Sequence, residues 1–526
     1  MFLNKFSGIV AVLLIAVPSL LSAQQTDETS LNSITKAELR DHIFFLASDY
    51  LAGRVGPSAE YEIAAQYVAT QFATAGIEPV ILQEDGSNSF FQGVPFTKTT
   101  YSEEISWTIL KDGKETTLAH NDDFRILFGN SIVHNNLEIV YVGYGIEEPG
   151  YKWNDFKGLD VQGKIMVCLG GAPVKKGESV LPAEVHQKYA GPRGFQLKVS
   201  GLFSKGAAGI ILVDIDGSTG IPFAMIPSEF ATEKYVYAGG ETKVRSQFMS
   251  SLYLVKPEFV DLIMAGSKNN PLKDPENVLD NYKPQLLKDT YLNTEIEILG
   301  EEIITTRNVV GMVPGTDPSL RDEYIIVGAH LDHVKPFQGQ VCNGADDNAS
   351  GTSGVMEIAE AIAMNPCKRS VVFTAYTAEE MGLFGSLYFV NSGLFPKEQL
   401  KFNINLDMIG RSDPDNVESR AHYVVTHKKY VEGIKSFVNE VNDSVTDFPL
   451  IYDNDDDSPG GSDHQTFINE GIPAFFFFSG MHPDLHQPGD DADRIDYEKA
   501  ESISRLACLI ATKLANMNEL PDFINQ

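Results

Sequence analysis

From about residue 291 onward, short buried strand patterns alternate with helix patterns, and this alternation constrains the fold more than any other feature of the sequence. Runs such as EYIIVGAH and SVVFTAY are apolar and rich in β-branched residues, which is typical of buried strands. The segments between such runs predict helices at 352–364, 383–391, 431–441 and 497–517. Alternation of this kind predicts an α/β domain with a mixed, mostly parallel sheet and helices on both faces.

The chain before this segment has a different pattern. Helices are predicted at 39–47 and 58–75, followed by short strand-like runs such as ISWTIL. From residue 133 the runs LEIVYVGYGI, KIMVCLGGA and IILVDID suggest a compact, Gly-rich and β-rich module. A chain of 526 residues exceeds what one core usually supports. We therefore predict a main domain of residues 24–132 and 276–526, interrupted by an insert of residues 133–275.

Residues 1–23 have the pattern of a secretory signal peptide. Lys5 precedes an apolar run, and the small residues Ser22 and Ala23 follow it. The run is shorter than the roughly 20 residues of a membrane-spanning helix. We therefore expect cleavage after Ala23 and a secreted or periplasmic protein without stable membrane association. An uncleaved anchor is the alternative, because Leu21 stands where a small residue is favoured.

The charge balance excludes some partners. With 41 basic and 72 acidic residues the net charge is −31, which repels phosphate backbones, so we expect no nucleic-acid partner. We expect part of the acidic excess to surround bound cations. The four cysteines are widely spaced and form no CxxC metal motif; a disulfide and buried free thiols both remain open.

Side chains that bind metals follow one strand pattern after another in the last domain. They are His330, Asp332, His333, Asp346, Asp347, Glu379, Glu380, Asp407, His482 and His486. In open α/β sheets, ligands bind at the carboxyl ends of the strands. Each residue alone has a structural interpretation as a turn, a helix start or a packed histidine. Together they predict a site for two neighbouring zinc ions with a shared carboxylate, although cobalt and manganese accept the same ligands.

Five motifs carry a resemblance to a known family. GAHLDH, NGADDNASG, AYTAEEMGLFGS, NINLDMIG and DLHQPGDDADRID, in this order, resemble metallopeptidase family 28, the co-catalytic zinc aminopeptidases, which also include glutamate carboxypeptidases. The segment beginning LASDYLAGRVGP resembles the opening helices of that family. The runs VGYGI and SKGAAGIILVD resemble a protease-associated domain. The resemblance implies a zinc exopeptidase fold with an inserted protease-associated domain, acting on peptide substrates.

The resemblance also implies roles for individual residues. It implies a bridging Asp347, with His330 and Asp407 completing one ion, and Glu380 and His486 completing the other. Asp346 is the competing choice for the bridge. Asp332 resembles the carboxylate that holds the imidazole of His330. The family has a cis peptide after the bridging aspartate, which makes Asp347–Asn348 the candidate bond.

Glu379 is our candidate for the general base, because it adjoins the predicted ligand Glu380. His464 resembles a family residue that lines the substrate pocket, although packing beside a helix start explains it equally well. We interpret His333, His482 and His427 as structural. Leu485 departs from the family, which often has tyrosine before the last histidine ligand.

Several functions remain open. An aminopeptidase and a carboxypeptidase or dipeptidase differ in whether the pocket binds an α-amine or an α-carboxylate. Arg411 and Arg420 are the best carboxylate-binding candidates of an otherwise acid-rich domain, which favours the aminopeptidase. Receptor-like relatives lack metal ligands, whereas this chain retains them. A glutaminyl cyclase with one metal ion is the fourth candidate, and the metal stoichiometry distinguishes it.

Overall fold

A computed structural model gives the fold. It describes residues 30–129, 132–176, 178–189, 192–215, 223, 230–239, 251–273, 278–279, 282–336, 339–414, 422–445, 448–454 and 461–524. The predicted signal peptide and Arg420 lie outside the described residues. All four cysteines are buried, and no disulfide joins any two of them.

The chain divides into two compact units. The first is Met1–Val94 with Thr305–Gln526, and the second is Pro95–Ile304. The predicted insert of residues 133–275 falls within the second unit, which begins earlier and ends later. Strands flanking the predicted insert pair with strands inside it: residues 96–100 pair with Glu233–Tyr237, and Gln285 pairs with Tyr141. The assignment of this unit as a protease-associated domain stays a prediction.

The first unit contains a mixed, mostly parallel sheet, as predicted. Its strand order is Leu450–Asn454, His422–Thr426, Ala474–Phe478, Leu400–Leu406, Tyr324–His330, Ser370–Tyr376 and the end of Gln285–Val313. Antiparallel pairing joins His422–Thr426 to Ala474–Phe478 and Ser370–Tyr376 to residues 309–313. The other neighbours in this order are parallel.

Helices cover both faces of this sheet. The described helices of the unit include Lys36–Leu46, Ala59–Thr74, Gly351–Met364, Phe384–Asn391, Val431–Val445, His464–Asn469 and Tyr497–Asn516. Along the strand Tyr324–His330, Ile325 and Val327 belong to one buried cluster and Ile326 to another. The first cluster includes side chains of the first two helices and the last, and the second cluster includes Phe389 and Phe467. The alternation follows from the two-residue period of a strand.

Capping side chains explain where the first two helices begin: the first starts at Lys36, before the predicted residue 39, and the second starts at Ala59, next to the predicted residue 58. The hydroxyls of Thr35 and Ser58 accept hydrogen bonds from the backbone N–H groups of Glu38 and Tyr61. Such a bond satisfies one of the free N–H groups of the first turn. The helix predicted at 431–441 is longer than expected and ends at Val445.

The second unit has a parallel sheet of its own. Its strands Leu137–Tyr141, Ile165–Leu169, Gly209–Val213 and Ser251–Val255 are parallel neighbours in this order, and Phe124–Gly129 is antiparallel to the last. Its described helices include Ala183–Tyr189, Pro192–Phe203 and Glu258–Ile263. The run ISWTIL, predicted as a short strand, belongs to the 21-residue strand Phe91–Lys111. Among the described helices of the chain, none is long and apolar enough to cross a membrane.

Candidate metal centre

Three parallel strands bring the predicted ligands to one edge of the first unit's sheet. Tyr324–His330 lies between Ser370–Tyr376 and Leu400–Leu406, and all three run in the same direction. Their carboxyl ends therefore carry His330, the loop of Glu379 and Glu380, and Asp407 to neighbouring positions. This is the arrangement that the strand-end pattern of the sequence predicts.

The side chains at this edge form two groups that could each hold a metal ion. The first group is His330, Asp347 and Asp407, and the second is His333, Asp347, Glu380 and His486. Within each group the ligand atoms lie within 4.8 Å of one another. All five predicted ligands are present, and Asp347 belongs to both groups. His333, which we interpreted as structural, joins the second group.

The two carboxylate oxygens of Asp347 point at different ligand groups, one at each. Its Oδ1 lies 3.3 Å from His330 Nε2, and its Oδ2 lies 3.1 Å from His486 Nε2. Asp346, the competing choice for the bridge, has different neighbours. Its Oδ1 accepts a hydrogen bond from the backbone N–H of Gly410 (2.6 Å), and its Oδ2 lies 3.5 Å from His482. The Asp347–Asn348 peptide bond is cis, as the resemblance implies.

Asp332 positions the loop of the two glutamates as well as His330. Its carboxylate accepts hydrogen bonds from the backbone N–H groups of Glu379 (3.0 Å) and Glu380 (3.4 Å). The imidazole of His330 lies closer to the main-chain oxygen of Asp332, at 3.0 Å from Nδ1, than to its carboxylate, at 4.0 Å. The expected contact with His330 is therefore made by the backbone, which leaves the carboxylate to the glutamate loop.

Arg54 donates hydrogen bonds to the backbone next to the two ligand groups, and the sequence did not single it out. Its guanidinium is fully buried and donates hydrogen bonds to the carbonyl oxygens of Leu331 (2.9 Å), Asn343 (2.7 Å) and Gly344 (3.0 Å). Burial lowers the pKa of Arg54 to about 10, and the nearby carboxylates, Asp347 first among them, oppose that shift. The position of an arginine between two glycines in LAGRVGP was its signal in the sequence.

Asp490 is a second supporting residue that the sequence analysis did not single out. Its carboxylate accepts hydrogen bonds from the backbone N–H groups of Asp346 and Asp347. Burial and, after it, the negative charge of Asp346 together raise the pKa of Asp490 to about 6. Asp490 thereby fixes the backbone that carries the shared carboxylate.

The electrostatics of the two key carboxyl groups differ. Burial favours the neutral form of Asp347, but the imidazoles of His333, His330 and His486 outweigh burial and hold its pKa well below the usual range. Burial raises the pKa of Glu379 well above its usual value, and His330 opposes this shift. The carboxylate of Asp347 therefore remains anionic, as a metal ligand would have to be, whereas the carboxyl of Glu379 has a higher proton affinity.

The remaining candidates lie outside both groups. His464 begins the helix His464–Asn469, is fully buried, and stacks on Phe476 with ring centroids 4.3 Å apart. Its contact with a substrate stays a prediction. Within the described residues, His482 and His427 belong to neither group.

The chemistry of the donor set fits zinc. The two groups offer imidazole nitrogens and carboxylate oxygens, which zinc, cobalt and manganese accept. The side chain of His486 is 46% exposed, whereas that of Asp347 is 6% exposed. The shared ligand is therefore protected from solvent, and the centre is open on the side of His486.

An α/β unit in which two groups of metal-binding side chains share an aspartate belongs to the class of proteins with a candidate metal centre. Comparisons with known proteins show which family the region around this centre matches. Residues 308–511 match the model of peptidase family M28. The matched region contains all five motifs that resemble this family.

Two curated relatives are similar to part of the chain. Aminopeptidase YwaD of Bacillus subtilis (strain 168) is 30% identical over 231 residues, which cover 42% of this chain and 48% of the relative. Leucine aminopeptidase 2 of Trichophyton rubrum is 31% identical over 183 residues, 34% of each chain. The chain thus spans about half or less of these relatives. Among solved structures, an aminopeptidase from Aneurinibacillus sp. strain AM-1 has a similar fold, with a TM-score of 0.53 at 21% identity over 94% of this chain and 97% of that one.

Proposed function

We propose that this protein is an exported exopeptidase that binds two zinc ions and removes residues from the N-terminus of peptides. The observation that carries the proposal is the position of Asp347 between two sets of ligand atoms. One of its oxygens faces His330 and the other faces His333 and His486. A hydrolase with two metal ions needs a shared carboxylate of this kind, with terminal ligands on each side.

Glu379 is the proposed general base. When bound, the two ions polarise the scissile carbonyl and make a water molecule more acidic. Glu379 takes the proton of the attacking water and delivers it to the leaving amine. Asp332 holds the backbone of Glu379 in place by accepting its N–H. The raised pKa of Glu379 supports this role, because it makes the carboxylate a stronger base than an exposed glutamate.

The surroundings of Arg411 support action at the amino end of the substrate. Its Nη2 lies 2.8 Å from the carboxylate of Asp484, and its Nη1 lies 3.8 Å from that of Asp490. An arginine already paired with acidic groups is poorly suited to bind the free carboxylate of a substrate. Two similar proteins, aminopeptidase YwaD and leucine aminopeptidase 2, are named for this activity, which supports the same direction.

Blocked peptides test the proposed function. The zinc-loaded protein is incubated with a short peptide, with its N-acetylated form and with its C-terminal amide, and the products are separated by mass spectrometry. We expect release of the N-terminal residue from the free and amidated peptides and none from the acetylated peptide. Loss of activity on the amide alone would identify a carboxypeptidase. Cyclisation of N-terminal glutamine with one bound zinc would identify a glutaminyl cyclase.

Substitution of Glu379 tests its role as the base. We expect Glu379→Gln to lower kcat by about 10²–10⁴-fold, because the amide cannot accept the proton of water. The variant should still bind two zinc ions, measured by inductively coupled plasma mass spectrometry. Glu398→Gln, at an exposed position of the same unit, is the matched control and should keep full activity. Retained activity in zinc-loaded Glu379→Gln would rule out the assignment.

A further inference from the structure

We infer that His333 is a metal ligand, so that the second of the two ion positions has two imidazoles and the first has one. The inference rests on the proposed two-ion function and specifies how the two ions differ. The family resemblance assigned five ligands to the centre, and His333 was not among them. His333 comes from the same strand end as His330, three residues further along the chain.

The position of His333 closely matches that of His486. His333 Nδ1 lies 3.1 Å from Glu380 Oε1 and 3.5 Å from Asp347 Oδ2. His486 Nε2 lies 3.2 Å from Glu380 Oε2 and 3.1 Å from the same oxygen of Asp347. The two imidazoles therefore direct a nitrogen at the same pair of carboxylates. A cation between these carboxylates would lie within reach of both rings.

The backbone makes room for the ring of His333. A Cβ atom at Gly344 would lie 2.5 Å from His333 Cγ and 2.6 Å from its Cδ2, so a side chain at this position would displace the imidazole. Gly344 also has a φ of +59°, which favours glycine. Arg54 holds the carbonyl oxygen of Gly344 in place. The close approach of His333 to Glu380 thus depends on two features outside the ligand set.

The second ring nitrogen of His333, Nε2, makes no hydrogen bond to the described residues that would fix the tautomer of the ring. Within the described residues, Nε2 is buried and has no hydrogen-bond partner, and the side chain is fully buried. The tautomer with a proton on Nε2 leaves the lone pair of Nδ1 directed at the carboxylates, as a metal ligand requires. The alternative is a proton on Nδ1 that His333 donates to Glu380, which would make His333 a positioning residue for that glutamate.

A difference between the two ion positions follows from the ligand count. The first position has one imidazole and two carboxylates, and the second has two imidazoles and two carboxylates. Imidazole suits zinc, whereas carboxylate oxygen suits harder ions such as magnesium and manganese. We therefore expect the first equivalent of metal to occupy the second position and the second equivalent to bind more weakly.

Counting imidazoles in the unmodified protein tests this directly. The full-length protein is loaded with one equivalent of zinc and studied by X-ray absorption spectroscopy, which resolves imidazole scattering. We expect about two imidazoles per zinc at one equivalent and a lower average at two equivalents. One imidazole per zinc at both loadings would overturn the inference.

The variant His333→Asn distinguishes between two roles of His333, that of a metal ligand and that of a residue that positions Glu380. Its amide keeps a hydrogen-bond donor near the place of Nδ1 but removes the imidazole. We expect the first equivalent of cobalt to lose at least about 100-fold in affinity, beyond the range for outer-shell partners, and its visible absorption spectrum to change. His427→Asn, outside both ligand groups, is the control and should behave like the wild type.

The outcomes also separate this inference from the proposed function. An unchanged cobalt spectrum and affinity in His333→Asn, with two zinc ions and peptide hydrolysis in the wild type, would overturn the role of His333 and leave the function intact. Wild-type protein that binds no pair of ions would overturn both.

Discussion

Three imidazoles surround the carboxylate of Asp347, and they were not equally predictable. His330 and His486 lie in motifs that resemble those of a known family, and both point at Asp347 in the structure. His333 has no such motif role, and a histidine just after a strand is more often structural. Its direction depends on the path of the loop beyond the strand and on the space left by Gly344. Local sequence does not determine either of these.

His134 gives a prediction about pH at the residue scale. Burial lowers its pKa from 6.5 to about 4. Below pH 6.5 the unfolded chain binds a proton at His134, whereas the folded chain does not until about pH 4, so stability falls as pH falls through this window. We expect this residue to reduce the free energy of unfolding by about 2 kcal/mol between pH 7.5 and pH 5.

His134→Gln should remove that contribution. Both tryptophans of the chain, Trp107 and Trp153, lie in the second unit with His134, so urea unfolding followed by tryptophan fluorescence reports on this unit. The difference in unfolding free energy between wild type and variant should shift by about 2 kcal/mol between the two pH values. His427→Gln, in the first unit, is the control. A pH dependence that is the same in wild type and His134→Gln would contradict the prediction.

At the scale of elements, the loop between the strand Ser370–Tyr376 and the helix Phe384–Asn391 decides where the proposed base lies. Asn308 accepts a hydrogen bond from the N–H of Thr377 (3.0 Å) and donates one to the carbonyl of Gly385 (2.9 Å). The N–H of Gly385 in turn donates to the carbonyl of Thr377 at 2.9 Å. The side chain of Asn308 and one backbone hydrogen bond thus close the loop at its base and leave no space at Gly385.

Gly385→Ala should disturb this closure. Its Cβ would lie 2.3 Å from the carbonyl oxygen of Thr377 and 2.5 Å from Asn308 Oδ1, so the backbone must shift. We expect a loss of about 1–3 kcal/mol in unfolding free energy, measured by denaturant titration, and a lower kcat. Gly150→Ala, where the new Cβ meets nothing within 4 Å, should change stability by less than about 0.5 kcal/mol. Equal effects of the two substitutions would argue against a closed loop.

Secondary structure in the first unit was largely predictable because local signals define it. The predicted helix 58–75 is observed as Ala59–Thr74, with Ser58 as its N-cap, and the helix predicted at 497–517 is observed as Tyr497–Asn516. The strand Phe91–Lys111 was predicted only in part. Its residues 96–100 pair with Glu233–Tyr237, far away in the sequence, and such pairing leaves no local signal.

At the scale of the whole molecule, the ligand groups belong to one of the two units. Their residues lie between His330 and His486, within the first unit. A ligand that binds the folded state alone stabilises it by RT ln(1 + [L]/Kd). Zinc should therefore stabilise the first unit, and a chelator should remove that stabilisation.

Hydrogen exchange with and without chelator tests this expectation. With free zinc at 100 times its Kd, we expect zinc to protect amides of the strand Tyr324–His330 by about 2.7 kcal/mol relative to chelated protein. Amides of the strand Ile165–Leu169, in the second unit, serve as the internal control and should be unaffected. Equal loss of protection in both strands would contradict a centre confined to the first unit.

The sequence by itself determined the α/β class, the approximate positions of the predicted helices and the set of residues at the strand ends, because periodicity and ordered motifs are local properties. Only the tertiary structure decided that Asp347 rather than Asp346 faces both ligand groups, that His333 joins the second, and that Arg54 and Asp490 support them. These facts depend on how distant loops pack together. Side-chain direction and burial arise from contacts that no single segment contains.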